Sequence, residues 1–131
     1  MKALFAASIL SLFCLTACHT TQKPAADQAR RLIHLVFLDL REDLSPAQRD
    51  TFVNTLRSLK SIREIQDLQI NTFQNLGDLR AMGQYELLFQ TTFKNEADYQ
   101  LYQQHPQHIQ ARESMKSYLA APPATYDYYL Y

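Results

Sequence analysis

Hydrophobic and polar positions change period along this chain, and the changes divide it into elements. Residues 32–40 are apolar in both phases: Leu32, Val36, Leu38 and Leu40 share one phase with His34, while Ile33, Leu35 and Phe37 occupy the other. A strand buried on both faces has this pattern. Ser45-Pro46-Ala47-Gln48 then supplies an N-cap, a proline for the first helical position and a capping-box glutamine. Phe52, Val53, Leu56 and Leu59 follow at helical spacing, which predicts a helix with one buried face. Residues 65–73 read as a second strand with Leu68 and Ile70 as apolar alternates, and residues 74–83 as a loop holding both glycines. In 85–93 the alternation of Tyr85, Leu87, Phe89, Thr91 and Phe93 predicts a third strand. Asn95 caps a second helix, with Asp98 three residues on. That helix runs through Tyr99, Leu101 and Tyr102 until Pro106 interrupts it. A further helical segment carries Ile109, Met115 and Leu119 and ends before Pro122-Pro123, and residues 125–131 predict a fourth strand.

The order β-α-β-β-α-β predicts an α+β domain of ferredoxin-like type, an antiparallel sheet with helices on one face. Helices on one face leave the other open. His34, Val36 and Leu38 are expected to make that open face apolar, and the simplest cover is a second copy, sheet against sheet. A homodimer through the sheet face is therefore the expected assembly.

The first residues have a different character. Met1-Lys2 and the apolar run from Ala3 to Leu15 fit the ~7–15 residues of a secretory h-region and fall short of the ~20 that span a bilayer. Leu15-Thr16-Ala17-Cys18 ends the run and looks like a bacterial lipobox. Residues 1–17 then read as a lipoprotein signal peptide, 18–30 as a lipidated tether with Pro24, and 31–131 as the domain. Cys18 would carry the lipid and bind the membrane nearly irreversibly, since more than one acyl chain is attached. His19 stands where an Asp would, in the enterobacterial pattern, hold a lipoprotein at the inner membrane, so the expected place is the outer membrane, facing the periplasm. Cys14 leaves with the signal, so the processed chain has neither a free thiol nor a disulfide.

Composition narrows the function classes. Thirteen basic residues balance thirteen acidic ones, without a basic stripe, so nucleic acid is not an expected partner. Two glycines, both near one loop, leave no phosphate-cradling motif. Eight tyrosines and seven phenylalanines suit a core or an apolar pocket for a small ligand.

The stretch from His34 to Ser45 and the stretch from Tyr85 to His108, which ends Gln104-His105-Pro106-Gln107-His108, resemble the stress-responsive A/B barrel domain family. Tyr126-Asp127-Tyr128 fits the same pattern, so the resemblance covers about 31–131. It departs at Arg63-Glu64 and at Gln84, where family members often have turn glycines or a proline. The resemblance implies a dimeric α+β barrel. It also implies a His/Tyr pair, used by a plant polyketide cyclase of the family, which falls on His108 and Tyr102 as candidate catalytic residues. A pocket histidine falls on His34, and another falls on Leu87, a departure; His34, Tyr85 and His105 form the candidate ligand-binding set.

The chemistry of such a pair is proton transfer. An imidazole near its ordinary pKa can remove a proton beside a carbonyl, and a tyrosine hydroxyl can stabilise the enolate. Plainer roles stand beside this one. His105, before a proline, suits a helix C-terminal cap, and His34 or His108 suits a hydrogen-bonded core residue. Three imidazoles with no carboxylate evidently beside them do not make an expected metal site, and no cofactor is expected. Two functions follow: a lipid-anchored small-ligand-binding or scaffold module, or an enzyme of cyclase or monooxygenase type acting on a small aromatic or polyketide-like molecule.

Overall fold

In the computed structural model residues 30–130 are described, so the leader, Cys18 and all of the tether but Arg30 lie outside the described residues. The chain runs β1 (Leu32–Leu38), α1 (Pro46–Ser58), β2 (Ile65–Thr72), β3 (Leu87–Phe93), α2 (Glu96–Gln104), α3 (Pro106–Met115) and β4 (Ala124–Tyr129). The strands form one antiparallel sheet in the order β2-β3-β1-β4. This is the ferredoxin-like arrangement the pattern predicts.

Local chemistry starts each helix. The Ser45 hydroxyl accepts from the Gln48 backbone at 3.3 Å, and the Gln48 side chain accepts from the Ser45 backbone at 2.8 Å. Pro46 needs no partner for an N–H it lacks. Asn95 accepts from the Asp98 backbone at 2.9 Å and caps α2 in the same way. α1 then buries Phe52 and Leu56 against the sheet, where they join Phe89, Phe93 and Tyr102 in the core. Each such side chain contributes about 1.5–3 kcal/mol by leaving water.

Register corrects one expectation. His34 sits opposite Thr91 of β3 and Asp127 of β4, and Val36 sits opposite Phe89 and Thr125. Directly opposed residues share a sheet face, and this face is the one that Phe52 and Leu56 of α1 cover. The His34, Val36, Leu38 side is therefore the covered face. The opposite face carries Leu35 and Phe37, flanked by Gln90 and Leu88 of β3, which are partly exposed, and Ile33 beside Thr92, which are buried. The assignment could not be made from β1 alone, because both of its phases are apolar.

Boundaries shift at the same end of the sheet. β1 stops at Leu38, opposite Leu87, where β3 begins. Tyr85 therefore precedes β3, its N–H bonded to the Met82 carbonyl at 3.2 Å. Leu40 instead forms an isolated bridge with Leu119. Arg41 donates to the Tyr118 carbonyl at 3.0 Å, and Ala120 to the Asp39 carbonyl at 2.9 Å. These bonds strap the β1–α1 connection to the segment that leads into β4.

Candidate functional site

Three of the sequence-predicted residues converge between the sheet and the helices. His34 lies in the middle of β1, 5% exposed, with Asp127 directly opposite on β4. His34 Nδ1 is 2.5 Å from Asp127 Oδ1. An ionised carboxylate only accepts, so Nδ1 carries the proton of this bond. On the other side of His34, Thr91 is fully buried with no hydrogen-bond partner for its hydroxyl. The Tyr99 ring stands 5.2 Å from the His34 ring.

The junction of α2 and α3 supplies the other two. Tyr102 lies in the last turn of α2 and is 1% exposed; His108 lies in the first turn of α3 and is buried. Their rings stack with centroids 4.2 Å apart and planes 28° apart. The turn that brings them together is built by His105 and Pro106. The His105 N–H bonds to the Tyr102 carbonyl at 3.0 Å and closes α2. Its Nδ1 accepts from the Gln107 backbone at 3.2 Å and caps α3, whose first residue is Pro106. His105 thus caps a helix N-terminus as an acceptor through Nδ1. This replaces the expected C-terminal cation cap, and the side chain lies outside the cavity.

Burial sets the protonation states. It lowers the His108 pKa below 6.5; the bond to the Gln103 carbonyl pushes the other way, and the Arg112 charge adds to the lowering. His108 Nδ1 is 3.3 Å from that carbonyl, which can only accept, so Nδ1 holds the proton and Nε2 is the basic nitrogen. Burial raises the Tyr102 pKa well above 10, reinforced by Tyr99 and opposed by Arg112. Tyr99 is raised by burial and by the Asp127 charge, against a hydrogen bond from Gln103. The site therefore holds a neutral imidazole base beside hydroxyls that stay protonated.

His34, Tyr99, Tyr102, His108 and Arg112 line one partly open cavity of about 290 Å³, closed elsewhere mainly by apolar side chains such as Phe52 and Met115. The volume lies at the small end of ligand sites, which run from about 300 Å³ upward. Tyr85 is not brought into it. Tyr85 packs on Phe37 at 5.5 Å and lines a separate depression with Met82 and Leu88. Asp127, Tyr99 and Arg112 were not among the expected site residues. Asp127 corrects the expectation that no carboxylate stands beside the histidines, and its signal was its place in the inward phase of β4, between Thr125 and Tyr129. Among the described residues no three His, Cys, Asp or Glu side chains are grouped to hold a metal ion.

A family model described as the stress-responsive A/B barrel domain matches residues 32–128. A dimeric ferredoxin-like protein of unknown function from Thermobifida fusca superposes with a TM-score of 0.64 at 21% identity, over 83% of this chain and 99% of its own. The hydroxynitrile lyase of Passiflora edulis gives 0.70 at 16% identity, over 79% of this chain and 95% of its own. A Dabb family protein with a ferredoxin-like fold from Mesorhizobium loti gives 0.63 at 20% identity, over 76% and 95%. No curated protein matches the chain.

Proposed function

Because this chain belongs to the stress-responsive A/B barrel domain family, we propose that it is a small-molecule-binding domain that transfers a proton on its ligand. The ligand is small and mostly apolar, with a carbonyl at the histidine end of the cavity. The observation that carries this reading is that His34, Tyr102 and His108 line one cavity. His108, kept neutral by burial, removes a proton beside the carbonyl through Nε2. The Tyr102 hydroxyl, kept protonated, donates to the developing enolate oxygen. Asp127 orients His34 as a second imidazole. The likeness to a lyase supports small-molecule chemistry on this fold only by analogy, since sites and not folds carry function.

The test is deuterium exchange at the benzylic protons of 1-phenyl-2-propanone in D₂O, followed by proton NMR. The protein is expected to speed exchange over buffer, and His108→Ala or Tyr102→Phe to remove the gain while circular dichroism stays unchanged. Exchange no faster than in buffer counts against the reading.

The same proposal includes assembly and address. The apolar open face, with Leu35, Phe37 and Leu88, supports a homodimer, as does the dimeric description of similar structures. Phe37→Glu is expected to sediment as a monomer where the parent protein sediments as a dimer. The lipobox supports lipid attachment at Cys18 and residence at the outer membrane, facing the periplasm. Cys18→Ser is expected to release the protein from membrane fractions, and an unchanged distribution would exclude the anchor.

A further inference from the structure

Resting on that reading of the cavity, we infer that Arg112 is an anchor for a carboxylate, and that the ligand is an apolar monocarboxylic acid. His108, Arg112 and Met115 fall at i, i+4 and i+7 of α3 and all line the cavity. Arg112 thus borders the cavity one turn after His108, on the edge of the buried side of α3. Its side chain is 56% exposed, which places the head group at the mouth and not in the depth. From there its charge acts on both Tyr102 and His108.

No described residue holds that head group tightly. Its ion partner Glu113 stands at 3.9 Å, and Glu113 is itself bonded to Lys116 at 2.6 Å. The five-donor fork therefore remains open to a carboxylate, which it matches with two parallel hydrogen bonds. Arg112 is the one Lys or Arg among the described residues that line the cavity. A single cation suits a singly charged acid better than a doubly charged phosphate. The remaining wall, with Phe52, Leu56 and Leu119, takes the apolar body.

The experiment titrates the purified protein with trans-cinnamate and with cinnamamide, which match in shape and differ in charge, and follows backbone amide shifts of α3. Cinnamate is expected to bind about tenfold more tightly than the amide, as one charge-assisted pair at a half-exposed site would give. Arg112→Gln should abolish this preference, and Arg112→Lys should keep part of it. Equal binding of the two probes to the parent protein, or a preference that survives Arg112→Gln, overturns the anchor while leaving the cavity reading intact. Binding of neither probe overturns both.

Discussion

His34 and Asp127 face each other across the β1–β4 pair with Nδ1 2.5 Å from Oδ1, which ties the histidine of the central strand to a carboxylate on the edge strand. Asp127→Asn keeps the shape but lets the side chain donate as well as accept. Because the Asp127 side chain is 41% exposed, the stability cost should be only about 1 kcal/mol. The sharper readout is the ring. Nitrogen NMR of the parent protein should show one fixed tautomer with the proton on Nδ1, and the variant should show a mixture. An unchanged tautomer in Asp127→Asn would remove the carboxylate from any orienting role.

The depressed pKa of His108 makes stability depend on pH in a defined direction. Below about pH 6.5 the unfolded chain takes up a proton that the folded protein refuses. The unfolded state then binds more protons, so stability falls as pH falls below 6.5 and levels out below the folded pKa. One such group gives a slope of at most about 1.4 kcal/mol per pH unit. The difference between the parent protein and His108→Gln, in urea unfolding from pH 7.5 to 4.5, should show this slope. Parallel curves would mean that the histidine is not held neutral.

Thr91 carries a buried hydroxyl without a partner beside His34. Valine has nearly the same shape and no such group. Thr91→Val should therefore raise stability by about 1 kcal/mol, read as a higher urea midpoint at unchanged slope. A loss of that size would reveal a partner for the hydroxyl.

At Ser45 the capping box satisfies two backbone donors at once. Ser45→Ala should cost about 1 kcal/mol and lower the thermal midpoint, with the cavity chemistry unaffected. A midpoint within error of the parent would show that the entry to α1 is held by Pro46 and packing alone.

What the sequence makes legible here is local. Ser45 and Gln48 satisfy each other over three residues, and Asn95 accepts from the Asp98 backbone at the same spacing, so both helix starts can be read from letters alone. Tyr102 and His108 were found through a resemblance, and the stacked rings give that pair a geometry that spacing across a proline could not supply. Asp127 lies 93 residues from His34, and only the β1–β4 register joins them. β1 is apolar in both phases, so which face the helices cover was undetermined until Phe52 and Leu56 were placed. Tyr85 continues the alternation of β3 in the sequence, yet the ladder starts two residues later because β1 has ended at Leu38. Arg112 was hidden because α3 mixes polar and apolar residues on every side, and periodicity cannot identify its inner stripe.

The break at His105–Pro106 acts as a length gauge for the site. Each residue added to a helix turns everything beyond it by about 100°. One residue inserted between Pro106 and His108 would carry His108 away from Tyr102 and turn Arg112 and Met115 with it, while the caps on both helices could still form. The strands lie outside that turn, but the cavity would lose the imidazole that faces the tyrosine together with the α3 side chains that line it. Two relatives of this fold can thus share every strand and differ in chemistry by the count of residues across one turn.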